Sequence, residues 1–276
     1  MSYRIRDAEQ GDILSLDEAF EEIESMKPTV PWTGFDVLLF FAIWLAALMV
    51  SGAVAFTDVR PQASENTQDH GHPIAQLIEQ GKNSPVVLVV VFLAAVVVAP
   101  LIEEFLFRML FLGWLEAKFK HIKLPCASGI AIVLVSLCFA AIHANNHDVI
   151  DVPSMLIGLI VSSVVSLMVF AAGITYLAQV RNVRIADYLF GSWRFVRFRF
   201  VAGAGYCLMA IVFIYGLQAA LLSMFPGTNV SPIPLFVFAL VLGLLYSRTQ
   251  NLSYCILLHA CLNGISLALL VWYKFT

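Results

Sequence analysis

The sequence predicts an all-α bundle of about seven membrane-spanning helices, with six to eight as the range, and three observations carry that prediction. First, the 276 residues are 60% hydrophobic and only 13% charged, whereas a soluble domain is about 45–50% apolar and about 25% charged. Such a chain lacks the polar surface to cover itself in water. Second, its apolar residues gather into stretches about long enough to cross ~30 Å of hydrocarbon. Third, lysine and arginine alternate regularly between the two sets of connecting loops, as the positive-inside rule requires. A soluble enzyme, a secreted disulfide scaffold and a disordered protein are excluded together. Nucleic acid is excluded as a partner as well, because 16 Lys+Arg against 19 Asp+Glu leave no basic excess. The five cysteines all fall in or beside apolar runs without a C-x-x-C pair, and read as small buried hydrophobes.

Taken in order, residues 1–33 form an acidic segment with neither the basic start nor the apolar run of a signal peptide. Ser15 and Glu18 make a capping box, followed at helical spacing by Leu16, Phe20, Ile23 and Met26. This reads as a cytoplasmic surface helix packing on the domain. Residues 34–276 form the transmembrane domain, with spans at 36–57, 85–117, 126–145, 153–180, 203–225, 233–247 and 252–273. Trp32, Trp114, Trp193 and Trp272, with Tyr273, suit an interfacial belt, while Trp44 sits mid-span and reads as packing. Lys118, Lys120 and Lys123 lie in one loop, Arg181, Arg184, Arg194, Arg197 and Arg199 in the next basic one, and Arg248 in the last. The opposite loops carry only Arg60 and Lys82, in 58–84. The N-terminus and the basic loops are therefore assigned to the cytoplasm, and the chain to the cell (inner) membrane. The arginines of 181–202, interleaved with Trp193, Phe195, Phe198 and Phe200, suit an anionic lipid surface.

Among the acidic residues only Glu103 and Glu104, in APLIEEFLFR, fall deep inside a span. Each carboxylate costs roughly 2.5–3.5 kcal/mol there, which makes the pair a candidate functional site. Pro100 just upstream opens the helix backbone and marks a break or a polar pocket. Glu104 and Arg108 are four apart with the acid first, the favourable order for an ion pair, and Glu103 is left unpaired on another face. A lone carboxylate in an apolar pocket suits a general base; the structural alternative is a Glu–Glu–Arg cluster without chemistry. Phe139 and His143, then His259 and Asn263, form two further four-residue pairs on two other spans. His70, His72 and His121 belong to loops, and His147 to a polar span end.

One chemistry available to these residues is attack of water on a peptide carbonyl. Glu103 would deprotonate the water, His143 would orient it, and His259 with Asn263 would hydrogen-bond the oxyanion. The same set could instead hold Zn2+ through His143, His259 and Glu103 or Glu104, leaving a position for water. No H-E-x-x-H, no G-x-S-x-G and no aspartate deep in a span suggests another intramembrane protease design.

Together these residues resemble the CAAX-processing and bacteriocin-processing (CPBP) intramembrane proteases, which include the prenyl-protein endopeptidase. That family's EExxxR, FxxxH and HxxxN motifs stand here as Glu103 to Arg108, Phe139 to His143 and His259 to Asn263, within a motif core of about 100–264. The resemblance implies a helical bundle around a polar chamber that cleaves a membrane-associated or lipidated peptide or protein. It makes Glu103 the catalytic carboxylate with His143 and His259, Asn263 the oxyanion partner, and Glu104, Arg108 and Phe139 supports. It favours no cofactor, with Zn2+ as the alternative. Two other readings stand beside it: a non-catalytic membrane scaffold or immunity-like protein of the same fold, and a proton-coupled transporter, which the lack of an internal repeat does not favour. The separation of His143 from His259 exceeds the family's usual one, through the added span and arginine-rich loop at 181–231. The spans also put His259 about 10 Å from the cytoplasmic end of its helix and His143 about 25 Å. A shared site needs them level, so one boundary is displaced or one helix is tilted or broken.

Overall fold

The computed structural model describes residues 30–56, 77–78, 84–143, 152–190, 196–225 and 232–275. The expected N-terminal helix, His70, His72, His147, Trp193, Arg194 and Phe195 lie outside them. Among the described residues the regular secondary structure is all helix, with no strand. Its helices are α1 (Gly34–Phe56), α2 (Pro85–His121), α3 (Ala127–Ile142), α4 (Val152–Val180), α5 (Ile185–Phe190), α6 (Val196–Met224), α7 (Pro232–Thr249) and α8 (Leu252–Phe275). Each expected span has its helix. In α2, α4, α7 and α8 the apolar stretch is long enough to cross a membrane, and α1, α3 and α6 hold shorter apolar stretches. The outward side chains are apolar too, among them Leu38, Met49, Val86, Leu137 and Met209. This is an integral membrane bundle, whose outer face is solvated by lipid tails.

α2 is the axis of the bundle. Between Phe105 and Leu112 every residue but Phe111 is buried, including Arg108. A helix apolar on all sides belongs in the interior. Around it α1 packs on α4, α3 on α7, and α8 on the middle of α2. The α3–α7 contact is close because Gly243 sets its backbone against Ile132, as small residues do where membrane helices approach.

α2 is helical along its whole length but changes winding twice, with π-helical segments at Leu93–Val98 and Phe105–Leu112. A π segment replaces the i→i−4 hydrogen bond by i→i−5 and releases backbone carbonyls near its ends. The first segment spends such a carbonyl on a neighbouring helix, and in the second Leu110 O, already facing the Gly113 N–H, takes a further donor from the strap before α1. Leu110 O accepts the indole N–H of Trp32 at 3.0 Å, and Ala95 O accepts the amide of Asn263 at 2.8 Å. The opening expected at Pro100 is therefore a change of winding, with no break in the helix.

Two expectations about the rim are corrected. Trp32 is 3% exposed, sealed by its bond to Leu110 O and by Tyr188, whose ring lies 5.3 Å away; it is a core residue, outside any interfacial belt. Trp272, 71% exposed, fits the belt, and Trp44 is buried as expected. Arg181 does not face lipid: its Nη2 lies 2.7 Å and 2.9 Å from the two oxygens of the fully buried Asp36 carboxylate. That carboxylate also takes the Tyr176 hydroxyl at 2.7 Å and the Thr33 N–H at 2.6 Å. Thr33 and Asp36 cap α1 as a box, and Asp36 ties the start of α1 to the end of α4. The Asp36 carboxylate holds the Arg181 guanidinium above its ordinary pKa. Arg184 remains exposed, near Asp187.

The level of the two histidines is also settled. Glu103 lies at the centre of α2, with eighteen residues on either side, about 27 Å from each end at 1.5 Å per residue. His143 directly follows the 16 residues of α3, about 24 Å from that helix's start, so it reaches the same depth. His259 gets there only seven residues into α8, because the α7–α8 turn is sunk into the bundle. Asn251 and Leu252 are buried there, and α5 folds over the turn, with Ser253 Oγ donating to Leu189 O at 2.6 Å. Burial in the same cap pushes the Tyr188 hydroxyl up to about 12.

Candidate active site

Two helices, α2 and α8, and the end of a third, α3, meet at Glu103. Its Oε2 lies 3.6 Å from His143 Nε2 and 3.8 Å from His259 Nε2. The other nitrogen of each ring is committed elsewhere. His143 Nδ1 lies 2.8 Å from Phe139 O; a carbonyl only accepts, so this nitrogen carries the proton. His259 Nδ1 lies 2.7 Å from Glu104 Oε1, and the second oxygen of that carboxylate lies 3.1 Å from Arg108 Nε. With Nδ1 committed in each ring, both Nε2 atoms are turned toward the Glu103 carboxylate.

Glu104 and Arg108 are the expected ion pair, 0% and 1% exposed, with an added partner in His259. Glu103 is not the unpaired group that its sequence position suggests: it faces both imidazoles and is 13% exposed at its side chain. His143, 31% exposed at its side chain, is the part of the cluster most open to the surroundings.

Phe139 gives its motif a physical meaning. Its ring stacks on His143 at 4.4 Å, meets His259 edge-on at 6.0 Å and carries the Arg108 guanidinium at 4.7 Å. One aromatic thus orients both histidines and shelters the buried cation. Phe238 of α7, edge-on to His259 at 5.1 Å, gives that ring a second aromatic neighbour. Sequence reasoning missed it, since an apolar residue in an apolar span gives no signal.

Asn263 sits one turn beyond His259, and its amide donates to Ala95 O, 2.8 Å away. Glu103, Glu104, Arg108, Phe139, His143 and His259 form one cluster; Asn263 joins it through α2's backbone. Two imidazoles and a carboxylate are a chemically reasonable zinc donor set. Among the described residues, however, no group of three or more His, Cys, Asp or Glu is arranged to hold a metal ion.

A family model described as Rce1-like, type II CAAX prenyl endopeptidase, matches residues 85–265, more than half of the chain. Comparison with curated proteins and with solved structures finds no match.

Proposed function

The chain belongs to the Rce1-like family of type II CAAX prenyl endopeptidases, and from that membership we propose that it is an intramembrane endopeptidase acting on a membrane-associated or lipidated protein or peptide. The observation that carries the proposal is the convergence of His143 Nε2 and His259 Nε2 on one oxygen of Glu103, at 3.6 and 3.8 Å. Both distances are too long for direct hydrogen bonds, and with neutral rings all three groups are acceptors. A water molecule, with two protons to donate, can serve the Glu103 oxygen and one of the two imidazoles.

In the proposed reaction Glu103 takes a proton from that water while its oxygen attacks the carbonyl carbon of the scissile peptide. His143, fixed by Phe139 O, orients the water. His259, anchored through Nδ1 to Glu104, takes that proton on from Glu103 at its Nε2, offers Nε2–H to the oxyanion while Glu104 supports the imidazolium so formed, and returns the proton to Glu103 as the intermediate collapses. The amide N–H of Asn263 not used on Ala95 is the second oxyanion donor. Collapse of the tetrahedral intermediate expels the amine, which receives its proton from Glu103. The basic loops and the N-terminus face the cytoplasm in this reading.

The test is cleavage of prenylated C-terminal peptides and of leader peptides by purified protein in detergent, wild type beside Glu103→Gln, each with and without a chelator. Cleavage by the wild type that survives chelation and vanishes in the variant is the expected result. Equal cleavage by Glu103→Gln overturns the glutamate mechanism. Loss on chelation that zinc restores replaces it with a metal one, and no cleavage from either protein favours the scaffold.

A further inference from the structure

We infer that Pro100 and Asn263 act as a coupled positioning pair: the Asn263 amide fills the backbone carbonyl that Pro100 leaves without a donor, and this sets the rotation of α8 that presents His259 to Glu103. The argument starts from the winding of α2. At the end of its first π segment Ala99 N–H bonds to Ala94 O, five residues back. The next donor in that register, toward Ala95 O, belongs to residue 100, and proline has none. Ala95 O is thereby orphaned inside an apolar helix pair, where an unsatisfied carbonyl is costly. Asn263 Nδ2 donates to this oxygen at 2.8 Å.

Geometry links that bond to the catalytic cluster. His259 and Asn263 are one turn apart on one face of α8, and both bond to α2: His259 to Glu104 at 2.7 Å, Asn263 to Ala95 at 2.8 Å. The pairing runs in opposite senses along the two helices, 95 with 263 and 104 with 259. Two such anchors on α2 restrain rotation of α8 about its own axis more tightly than one. With the Ala95 anchor gone, the 3.8 Å approach of His259 Nε2 to Glu103 keeps the Glu104 bond as the remaining one of the two. The pairing was invisible in the sequence, because 168 residues separate the partners. The catalytic half of this inference rests on the peptidase reading above; the Pro100–Asn263 coupling does not.

The test is a double-mutant cycle on the purified full-length chain in detergent, with wild type, Asn263→Leu, Pro100→Ala and both together. It is read by thermal unfolding and by kcat on a prenylated C-terminal peptide. Asn263→Leu keeps the branched shape of the side chain and removes the donor, whereas Pro100→Ala returns a backbone N–H to the orphaned carbonyl. Asn263→Leu is expected to lower Tm by several degrees in the wild-type background, and by less than half as much beside Pro100→Ala. The tenfold or greater kcat loss of Asn263→Leu should be partly recovered in the double variant with KM little changed. If Asn263→Leu does not fold, folding of the double variant supports the pairing and continued failure overturns it. An equal Tm loss in both backgrounds, or no loss in either, overturns it too, and leaves Asn263 with a role on the substrate alone. A coupled Tm with no cleavage from the wild type keeps the pairing and refutes the peptidase reading.

Discussion

Removing Glu104 tests how the buried charges are balanced. In Glu104→Leu the Arg108 guanidinium, 1% exposed, keeps its charge and loses the carboxylate that lies 3.1 Å away. Breaking a buried pair from one side costs about 3–5 kcal/mol. His259 Nδ1 loses its 2.7 Å partner as well, adding about 1–3 kcal/mol. A loss of this size is comparable to the whole stability of an ordinary domain, about 5–15 kcal/mol, so the single variant should be barely folded. Glu104→Leu/Arg108→Leu removes both charges at once. It still orphans His259 Nδ1 and gives up the cation–π contact with Phe139, about 0.5–2 kcal/mol, yet it should recover about 2–4 kcal/mol of the loss. At roughly 2–4 °C per kcal/mol for a chain of this size, Tm in detergent should rise measurably from single to double variant. Tryptophan fluorescence or light scattering on heating reads this directly. A double variant no more stable than Glu104→Leu would refute the balance, and would mean that Arg108 is compensated by something other than Glu104.

Glu103→Gln should abolish cleavage while moving Tm by no more than about 1 kcal/mol in equivalent terms, because its two contacts are both longer than hydrogen bonds; a thermal scan of the inactive variant checks this. Asp36→Ala should cost about 1.5–3 kcal/mol by leaving Arg181 and the Tyr176 hydroxyl without their acceptor, and Arg181→Gln should cost less, since Arg181 is 29% exposed at its side chain; the same scan ranks the two. Gly243→Ala should destabilise by about 1–3 kcal/mol, because a Cβ there would stand 2.8 Å from Ile132 Cγ2, and Ile132→Ala in the same chain should relieve the clash.

What the sequence made legible was what is local. Helix extents follow from apolar runs, and the three polar pairs follow from four-residue spacing, which places Glu104 with Arg108, Phe139 with His143 and His259 with Asn263 without knowledge of neighbours. What it hid depends on the meeting of distant segments. Trp32 reads as a rim tryptophan until Leu110 O supplies a buried acceptor 78 residues away. Arg181 reads as lipid-facing until Asp36, 145 residues away, takes it. The mismatch in depth between the histidines arose from assuming that every turn lies at the membrane surface. The α7–α8 turn does not, because α5 and the buried Tyr188 cover it.

The doublet Glu103–Glu104 also has a geometric reason. Successive residues on a helix project about 100° apart, so two adjacent carboxylates diverge like the sides of a wedge. An imidazole carries its two nitrogens on separate edges, and the His259 ring enters that wedge with Nδ1 on Glu104 at 2.7 Å and Nε2 toward Glu103 at 3.8 Å. The short contact belongs to the carboxylate that Arg108 holds, and the long one to the carboxylate that also faces His143. Adjacent residues of one type thus divide into an anchor and a reactive group because the helix turns between them. A second glutamate one residue further along would project another 100° around the helix and could not serve the same ring.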